Sequence, residues 1–491
     1  LHGTITTSVI NGLASFGQRQ DGAAPFIGHR YALGLAPASR VRVNKYFDCS
    51  RESPNGFAFA LRQFDTGAPV NVVNLSFADP QCKYTSKSVT VDDDTFTRAR
   101  LFTISAGNTT DAGVTCSSVR GPATAKNAIA VGATDNFTIN WGPMQISTQT
   151  CGWSTYSATE DARNVPAFSS KHDLGRSIVK PDLVAPGVRI TGPYSRYSGF
   201  FCNGDVYGAF CKNDITDPGS GVRYGFTAGT SFAAPAVAGA ASVVRRWYRN
   251  VKATDPSPAM TKAILINGAR DLAGAVYRNL SGTNPVIGHI PDIYQGWGML
   301  NLTRLLGPGD DYYFFDEGVE LLGDGVNYSW QKFLFVRDGS KDIRITLVWS
   351  EPSNGNGKNW PINDLDITAD QFVSCPCWYG NQLSSSSGYS LPVPPNPASP
   401  DRGLNNVEQI IIPAYTYSTG SFLRLAVILN YSAAPPVERQ KFAVFADNAS
   451  ETSAPPRTYF YTVTPCRIVD TRGGAGHFGG PALDAIENHK I

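Results

Sequence analysis

No stretch of the 491 residues approaches the roughly 20 consecutive apolar positions of a membrane span; the longest candidate, Ala233 to Val244, is short and alanine-rich. There is no basic block and no acidic tail, and Lys+Arg 42 against Asp+Glu 40 leaves a net charge of only +2, so nothing points to nucleic acid as a partner. Charge is scarce throughout, at 17% of residues against about 25% in an average globular protein. With 48 Gly and 33 Pro, that scarcity suits a loop-rich extracellular chain better than a cytosolic one. The nine cysteines show no zinc-type paired spacing and no recognised catalytic motif, which leaves disulfides. Length alone suggests two to four domains.

Against these absences, one segment is rich in information: Gly229-Thr230-Ser231-Phe232-Ala233-Ala234-Pro235-Ala236-Val237-Ala238-Gly239. It joins a hydroxyl to a helix of small residues, with Pro235 expected in the first helical turn, where its missing N–H would lack a partner anyway. A serine at a buried helix start sits at the positive end of the macrodipole, which favours negative charge developing during attack on a carbonyl. Read alone, the segment fits either a nucleophile or a packing helix that opens on a Thr-Ser cap.

Three further segments bear on that choice. They are Leu1-His2-Gly3-Thr4, Thr103-Ile104-Ser105-Ala106-Gly107-Asn108, a strand ending in a tight turn that presents a carboxamide, and Lys180-Pro181-Asp182-Leu183-Val184-Ala185-Pro186-Gly187. In this order, and with Gly34-Leu35-Ala36-Pro37, Val73-Asn74-Leu75-Ser76, Ala130-Val131-Gly132-Ala133 and Phe168-Ser169-Ser170 as lesser markers, the first three-fifths of the chain resembles the subtilisin-like serine peptidases, the subtilases. The resemblance implies a parallel sheet flanked by helices, with His2 as general base, Ser231 as nucleophile and Asn108 as the oxyanion-hole side chain. Chemically, an imidazole of ordinary pKa about 6.5 takes the serine proton while the carboxamide and the Ser231 N–H hold the oxyanion. The sequon Asn108-Thr109-Thr110 is read as incidental, because a glycan there would block the oxyanion hole.

The family pattern also asks for an aspartate ahead of the histidine, to orient the imidazole. Only Leu1 precedes His2. Asp65, in Phe64-Asp65-Thr66-Gly67, follows the histidine and lies between a helical Phe57–Gln63 and a strand Val70–Ser76, so it reads as a turn residue. Asp182 likewise reads as a structural carboxylate. The expectation is therefore a piece of a longer protein, lacking the first strand, the aspartate and any leader, and nearly inactive as it stands. Loss of that aspartate costs subtilisin itself about 3 × 10⁴ in turnover. A non-catalytic subtilase-like scaffold for adhesion or binding is the alternative.

In the resemblance, Leu75-Ser76-Phe77-Ala78 and Ser105-Ala106-Gly107 line a groove where substrate protein or peptide adds as a strand. The small residues at 105–107 suggest an open S1 pocket for large apolar or aromatic P1 side chains. A helix is expected over Lys262–Leu272, and Gln295-Gly296-Trp297-Gly298-Met299-Leu300-Asn301 resembles the segment that closes subtilase domains, which sets domains at 1–306, 307–450 and 451–491. Beyond the first boundary, Phe333–Val336, Ile343–Trp349, Gln409–Ile412 and Leu423–Leu429 read as strands of an antiparallel sandwich.

Leu347-Val348-Trp349-Ser350, Asn363-Asp364-Leu365-Asp366 and Asn405-Asn406-Val407-Glu408 resemble the C-terminal β-sandwich of large bacterial alkaline subtilases, which allows structural calcium. The chemistry itself needs no cofactor. Asp364, Asp366 and Glu408 are oxygen donors of the right kind, with a turn or strand-end role weighed ahead of a metal site. Val463–Arg472 resembles the start of a short module found at the ends of bacterial secreted proteins; a disordered tail fits equally. Cys202 with Cys211, and less strongly Cys116 with Cys151, are the expected bridges, Cys49, Cys82, Cys375 and Cys377 staying unassigned and Cys466 the odd one out. The combined expectation is a secreted, monomeric serine endopeptidase.

Overall fold

The computed structural model describes residues 2–12, 34–44, 46–48, 51–111, 113–136, 161–172, 178–194, 211–216, 223–279, 283–322, 329–354, 361–371, 377–392, 405–432 and 439–451. All of them belong to one compact unit, Leu1–Pro455; Pro456–Ile491, with the Val463–Arg472 segment, is a second unit outside the described residues.

The first part of the chain runs α1 (His2–Asn11), the short pair β1 (Phe47–Asp48) and β2 (Arg51–Glu52), α2 (Gly56–Arg62), β3 (Val72–Leu75), α3 (Ser86–Arg98), β4 (Leu101–Ser105), β5 (Ile129–Thr134), β6 (Leu183–Pro186), β7 (Ile190–Tyr194), β8 (Cys211–Thr216), β9 (Arg223–Thr227), α4 (Thr230–Lys252) and α5 (Pro258–Asn267). Strands β3-β4-β5-β6 form a parallel sheet in that order, with Val72 opposite Leu101, Thr103 opposite Ile129 and Val131 opposite Leu183. β4 and β5 are buried along their whole length, as parallel strands covered on both faces must be. Leu101, Ile129 and Val131 pack against Ala233, Val237 and Ala240 of α4. Phe102 and Ile104 share the opposite core with Phe57 and Val91.

Two helices depart from the sequence reading in instructive ways. Pro235 is the sixth residue of α4 rather than part of its first turn. Its missing N–H would have bonded the Ser231 carbonyl, and that oxygen instead accepts from Ser76 Oγ at 2.7 Å. α5 begins four residues before the expected Lys262, because Pro258 suits N1 and the Ser257 side chain caps Met260 N; it stops at Asn267, before Gly268. Past α5, Trp297 is fully buried and Gly296, at φ +60°, leaves no room for a side chain: a Cβ there would lie 1.9 Å from the Pro181 carbonyl.

The chain then turns antiparallel: β10 (Tyr312–Leu322), β11 (Ser329–Val336), β12 (Ile343–Val348), β13 (Asn363–Asp370), β14 (Trp378–Tyr379), β15 (Val407–Ile412), β16 (Phe422–Ser432), β17 (Arg439–Asp447) and β18 (Ala449–Ser450). They form two sheets, β10-β17-β12-β15 and β14-β13-β16-β11-β18. Leu347, Ile410 and Val444 meet Ile367, Leu425 and Leu334 in the core of this sandwich. The other face of the first sheet, through Phe314, Val348, Val407 and Phe445, joins the same hydrophobic cluster as Met260 and Ile264 of α5. The two parts of the unit thus share one core.

Polar groups reinforce that seam. Lys126 and Glu351, both fully buried, pair at 3.1 Å, and Asn127 Nδ2 donates to the Glu351 carbonyl at 2.7 Å. Asn267 Nδ2 donates to the Arg344 carbonyl at 3.0 Å, and Arg344 returns a bond to the Ala269 carbonyl at 2.9 Å. Cys116 is bridged to Cys82, with Cα atoms 6.2 Å apart, which overturns the Cys116–Cys151 pairing; the chain returns to Cys82 after passing through α3 and β4, which linear spacing could not show. Cys377 is also disulfide-bonded. Cys49, Cys151, Cys202, Cys375 and Cys466, and the side chain of Cys211, lie outside the described residues. Among the described residues no helix is long and apolar enough to cross a membrane.

Candidate active site

Ser231 is the second residue of α4 and is partly exposed. The turn that delivers it needs Gly229, whose φ of +148° is one that residues with a side chain rarely adopt. Ser231 Oγ donates to the Ser76 carbonyl at 3.2 Å while Ser76 Oγ holds the Ser231 carbonyl, so the two serines are clasped reciprocally. Ser76→Ala orphans a helical carbonyl, and a loss of about 1–3 kcal/mol in urea unfolding is the expected result.

Asn108 follows β4 directly. Its Oδ1 accepts from Thr230 N and from Thr230 Oγ1, both at 3.0 Å, and Thr230 Oγ1 in turn accepts from Gly107 N at 3.2 Å. Backbone N–H groups can bond only to the oxygen of a carboxamide, so this grip fixes which end of Asn108 faces out. Nδ2 is presented beside the N-terminus of α4, with one of its hydrogens on Asp111 Oδ1 at 3.3 Å. Asp111 is itself paired with the buried Arg120.

His2 opens α1 and lies against Phe232, the neighbour of Ser231, with ring centroids 5.2 Å apart. α1 is seated by close approaches: Gly239 of α4 faces the Leu35 Cβ, 2.8 Å from where its own would be, and Gly192 of β7 faces Ile5. Burial pushes the imidazole down to about 4, opposed by Asp111. At neutral pH the ring is therefore uncharged and able to accept a proton.

Of the groove residues, Leu75 ends β3, and Phe77 stacks edge-on with Phe47 and Phe57 in a partly buried aromatic group. Ala78 follows in the loop and is partly exposed. Ser105 is buried with Oγ on the Phe77 carbonyl at 3.2 Å, and the Ala106 methyl belongs to the core. Gly107 alone of the 105–107 group lacks a side chain, and a Cβ there would meet the Arg120 guanidinium, which lies beside it.

The carboxylates set aside in the sequence lie in ion pairs, backbone hydrogen bonds or strands. Asp65 sits in a turn between α2 and β3, paired with Arg98 and Arg100. Asp182 is buried between Lys180 and Lys262. Glu408 Oε2 accepts from Ile367 N at 2.7 Å, Asp364 and Asp366 lie within β13, and no group of three or more His, Cys, Asp or Glu among the described residues is placed to hold a metal ion. Sequence reasoning missed Thr230, Asp111 and Arg120; only Thr230, inside the Gly-Thr-Ser segment, carried a local signal.

Residues 1–298 match the model of the subtilase family, Peptidase_S8. Curated relatives include the serine protease/ABC transporter B family protein tagB of Dictyostelium discoideum, 27% identical over 296 residues, which make up 51% of this chain and 14% of that protein. The subtilisin-like protease SBT2.3 of Arabidopsis thaliana is 28% identical over 191 residues, 39% of this chain and 19% of that protein. The chain spans less than a fifth of either relative. Among solved structures, the patellamide maturation protease PatA aligns at 19% identity and TM-score 0.37, covering 62% of this chain and 81% of that one. With the family model covering well over half of its length, the chain belongs to the subtilase family.

Proposed function

We propose that this chain is the catalytic part of a secreted serine endopeptidase in which Ser231 attacks the scissile carbonyl, His2 takes its proton, and Asn108 Nδ2 with the Ser231 N–H receives the oxyanion. The observation that carries the reading is the double grip of Thr230 on Asn108 Oδ1, which turns a carboxamide donor toward the helix start that holds the serine. Such preorganised donors do not have to reorient as charge develops, which is the main source of their effect. The third triad member is, in the family resemblance, an aspartate N-terminal to the histidine, and we place it ahead of Leu1. The Cys82–Cys116 bridge supports an oxidising, extracellular location. Substrates are proteins or peptides, and the working form is a monomer.

The test is reaction of the full-length protein, with the segment ahead of Leu1 restored, with a fluorophosphonate and mapping of the adduct by mass spectrometry. The adduct belongs on Ser231; an unlabelled Ser231 in folded protein removes the reading. The pH dependence gives a second measurement. In the chain as it stands, before an upstream carboxylate raises it, His2 is held near 4, and the slow residual labelling rate is expected to stay level from neutral pH down to about 5 and to fall only below that, where an unperturbed imidazole would cut it near 6.5. The same shift has a stability consequence: the unfolded chain binds the His2 proton between pH 6.5 and about 4 while the folded chain does not, so stability declines as pH falls through that window.

A further inference from the structure

Three loops meet beside Asn108. Ser105 Oγ donates to the Phe77 carbonyl, Asp79 N to the Gly121 carbonyl at 2.6 Å, and Arg120 N to the Ala106 carbonyl at 3.1 Å. Arg120 is thereby tied by its backbone to the 105–108 segment, next to the 76–79 segment. The Nε edge of its guanidinium crowds Gly107: a Cβ built at that glycine, φ +106°, would be 2.3 Å from Arg120 Nε and 3.0 Å from Nη2. The residue is 3% exposed, and its buried Nε has no hydrogen-bond partner among the described residues. The carboxylate it pairs with, Asp111, has a side chain 43% exposed and also accepts from Asn108 Nδ2.

A peptide whose carbonyl oxygen rests on Asn108 Nδ2 carries its acyl-side (P1) side chain one bond from that carbonyl carbon. The side chain must leave the oxyanion hole past residues 106–108, where it meets this guanidinium. A buried arginine with one N–H unused and one pair made to an exposed, displaceable carboxylate is suited to a second carboxylate in fork geometry. On the peptidase reading, we infer that the site selects peptides with Asp or Glu at P1, the substrate carboxylate taking the place that Asp111 holds in the free protein.

The experiment measures binding rather than turnover, using the Ser231→Ala chain and fluorescent, end-blocked peptides that differ only in Glu, Gln, Phe or Lys at P1. Fluorescence anisotropy is expected to give a Kd for the Glu peptide about tenfold or more below that for Gln, with Lys weakest. Arg120→Gln brings Glu and Gln to within about twofold. Because a buried arginine can be needed for folding, Asp111→Asn is the second variant: it vacates the guanidinium from an exposed position and widens the Glu-over-Gln ratio. Equal affinity for Glu and Gln, tightest binding of Phe, or no binding of the Glu peptide overturns the inference. Fluorophosphonate labelling of Ser231 without Glu preference keeps the peptidase reading and discards this one; Glu preference without labelling does the reverse.

Discussion

Asn108→Leu is expected to slow acylation of Ser231 by about 10²–10³-fold, or roughly 2.7–4 kcal/mol, a magnitude that belongs to the oxyanion asparagine of subtilisin itself. The variant removes the Nδ2 donor and also the Oδ1 acceptor that holds Thr230 N and Oγ1. Asn108→Asp separates the two effects. It keeps an acceptor for Thr230, removes the donor and places a negative charge where the oxyanion would form. A loss at least as large as that of the leucine variant assigns the effect to electrostatics rather than to a displaced loop. Thr230→Val should cost less than either, because the Thr230 backbone N–H still grips the carboxamide while Gly107 N loses its acceptor. The measurement is the second-order rate of fluorophosphonate labelling, with affinity for a blocked peptide followed in parallel. An unchanged rate in Asn108→Leu would remove Asn108 from the mechanism.

Much of this arrangement was legible in the sequence because it depends on local chemistry. The small-residue run after Ser231, the strand that leads into the Asn108 turn and the helix-to-strand position of Asp65 are each set by neighbours in the chain. Parts of β11, β12, β15 and β16 showed as apolar-rich runs; β12 is buried at all but Arg344 and β15 throughout, while β11 alternates, with Phe333 exposed and Leu334 buried. β10, β13 and β17 did not show in this way. β10 carries Asp316-Glu317-Gly318 at a bulge in its pairing with β17, β13 alternates polar and apolar residues through an Asn-Asp start, and β17 opens on Arg439-Gln440-Lys441. Their partners lie far along the chain, and pairing between distant strands leaves little trace in either one alone.

Long-range charge was equally hidden. Arg120 and Asp111 look like ordinary loop residues until the fold brings Gly107 over the guanidinium. Lys126, Lys180 and Lys262 carry no sign of burial in their local sequence. All three are buried; Lys126 pairs with Glu351 and Lys262 with Asp182 across distant segments, while Lys180 pairs with Asp182 two residues on.

Asp182→Asn is expected to destabilise the unit by about 3–5 kcal/mol, the usual cost of removing one partner from a buried ion pair. Asp182 Oδ2 accepts from Lys180 Nζ at 2.6 Å and from Ala130 N at 2.7 Å, and Oδ1 faces Lys262 Nζ at 2.8 Å. The remaining ammonium hydrogens reach the Ala128 and Lys126 carbonyls. One carboxylate thus serves two buried ammonium groups. Burial drives Lys180 down to about 8, Asp182 opposes that fall, and the Lys262 charge adds to it. Between pH 8 and about 10.5 the unfolded chain holds a proton that folded Lys180 has released, so stability should rise with pH across that interval and show no such gain below it. Above pH 10 the buried tyrosines, whose hydroxyls are pushed upward by burial, begin to ionise in the unfolded chain and reverse the trend. In Asp182→Asn the opposing carboxylate is gone, so the rise should begin below pH 8 and start from a lower baseline. Urea midpoints measured at half-unit steps from pH 6 to about 10 decide it. Superimposable profiles for the two proteins would mean that the lysines do not depend on Asp182, and that the seam beneath the parallel sheet is held by its apolar contacts alone.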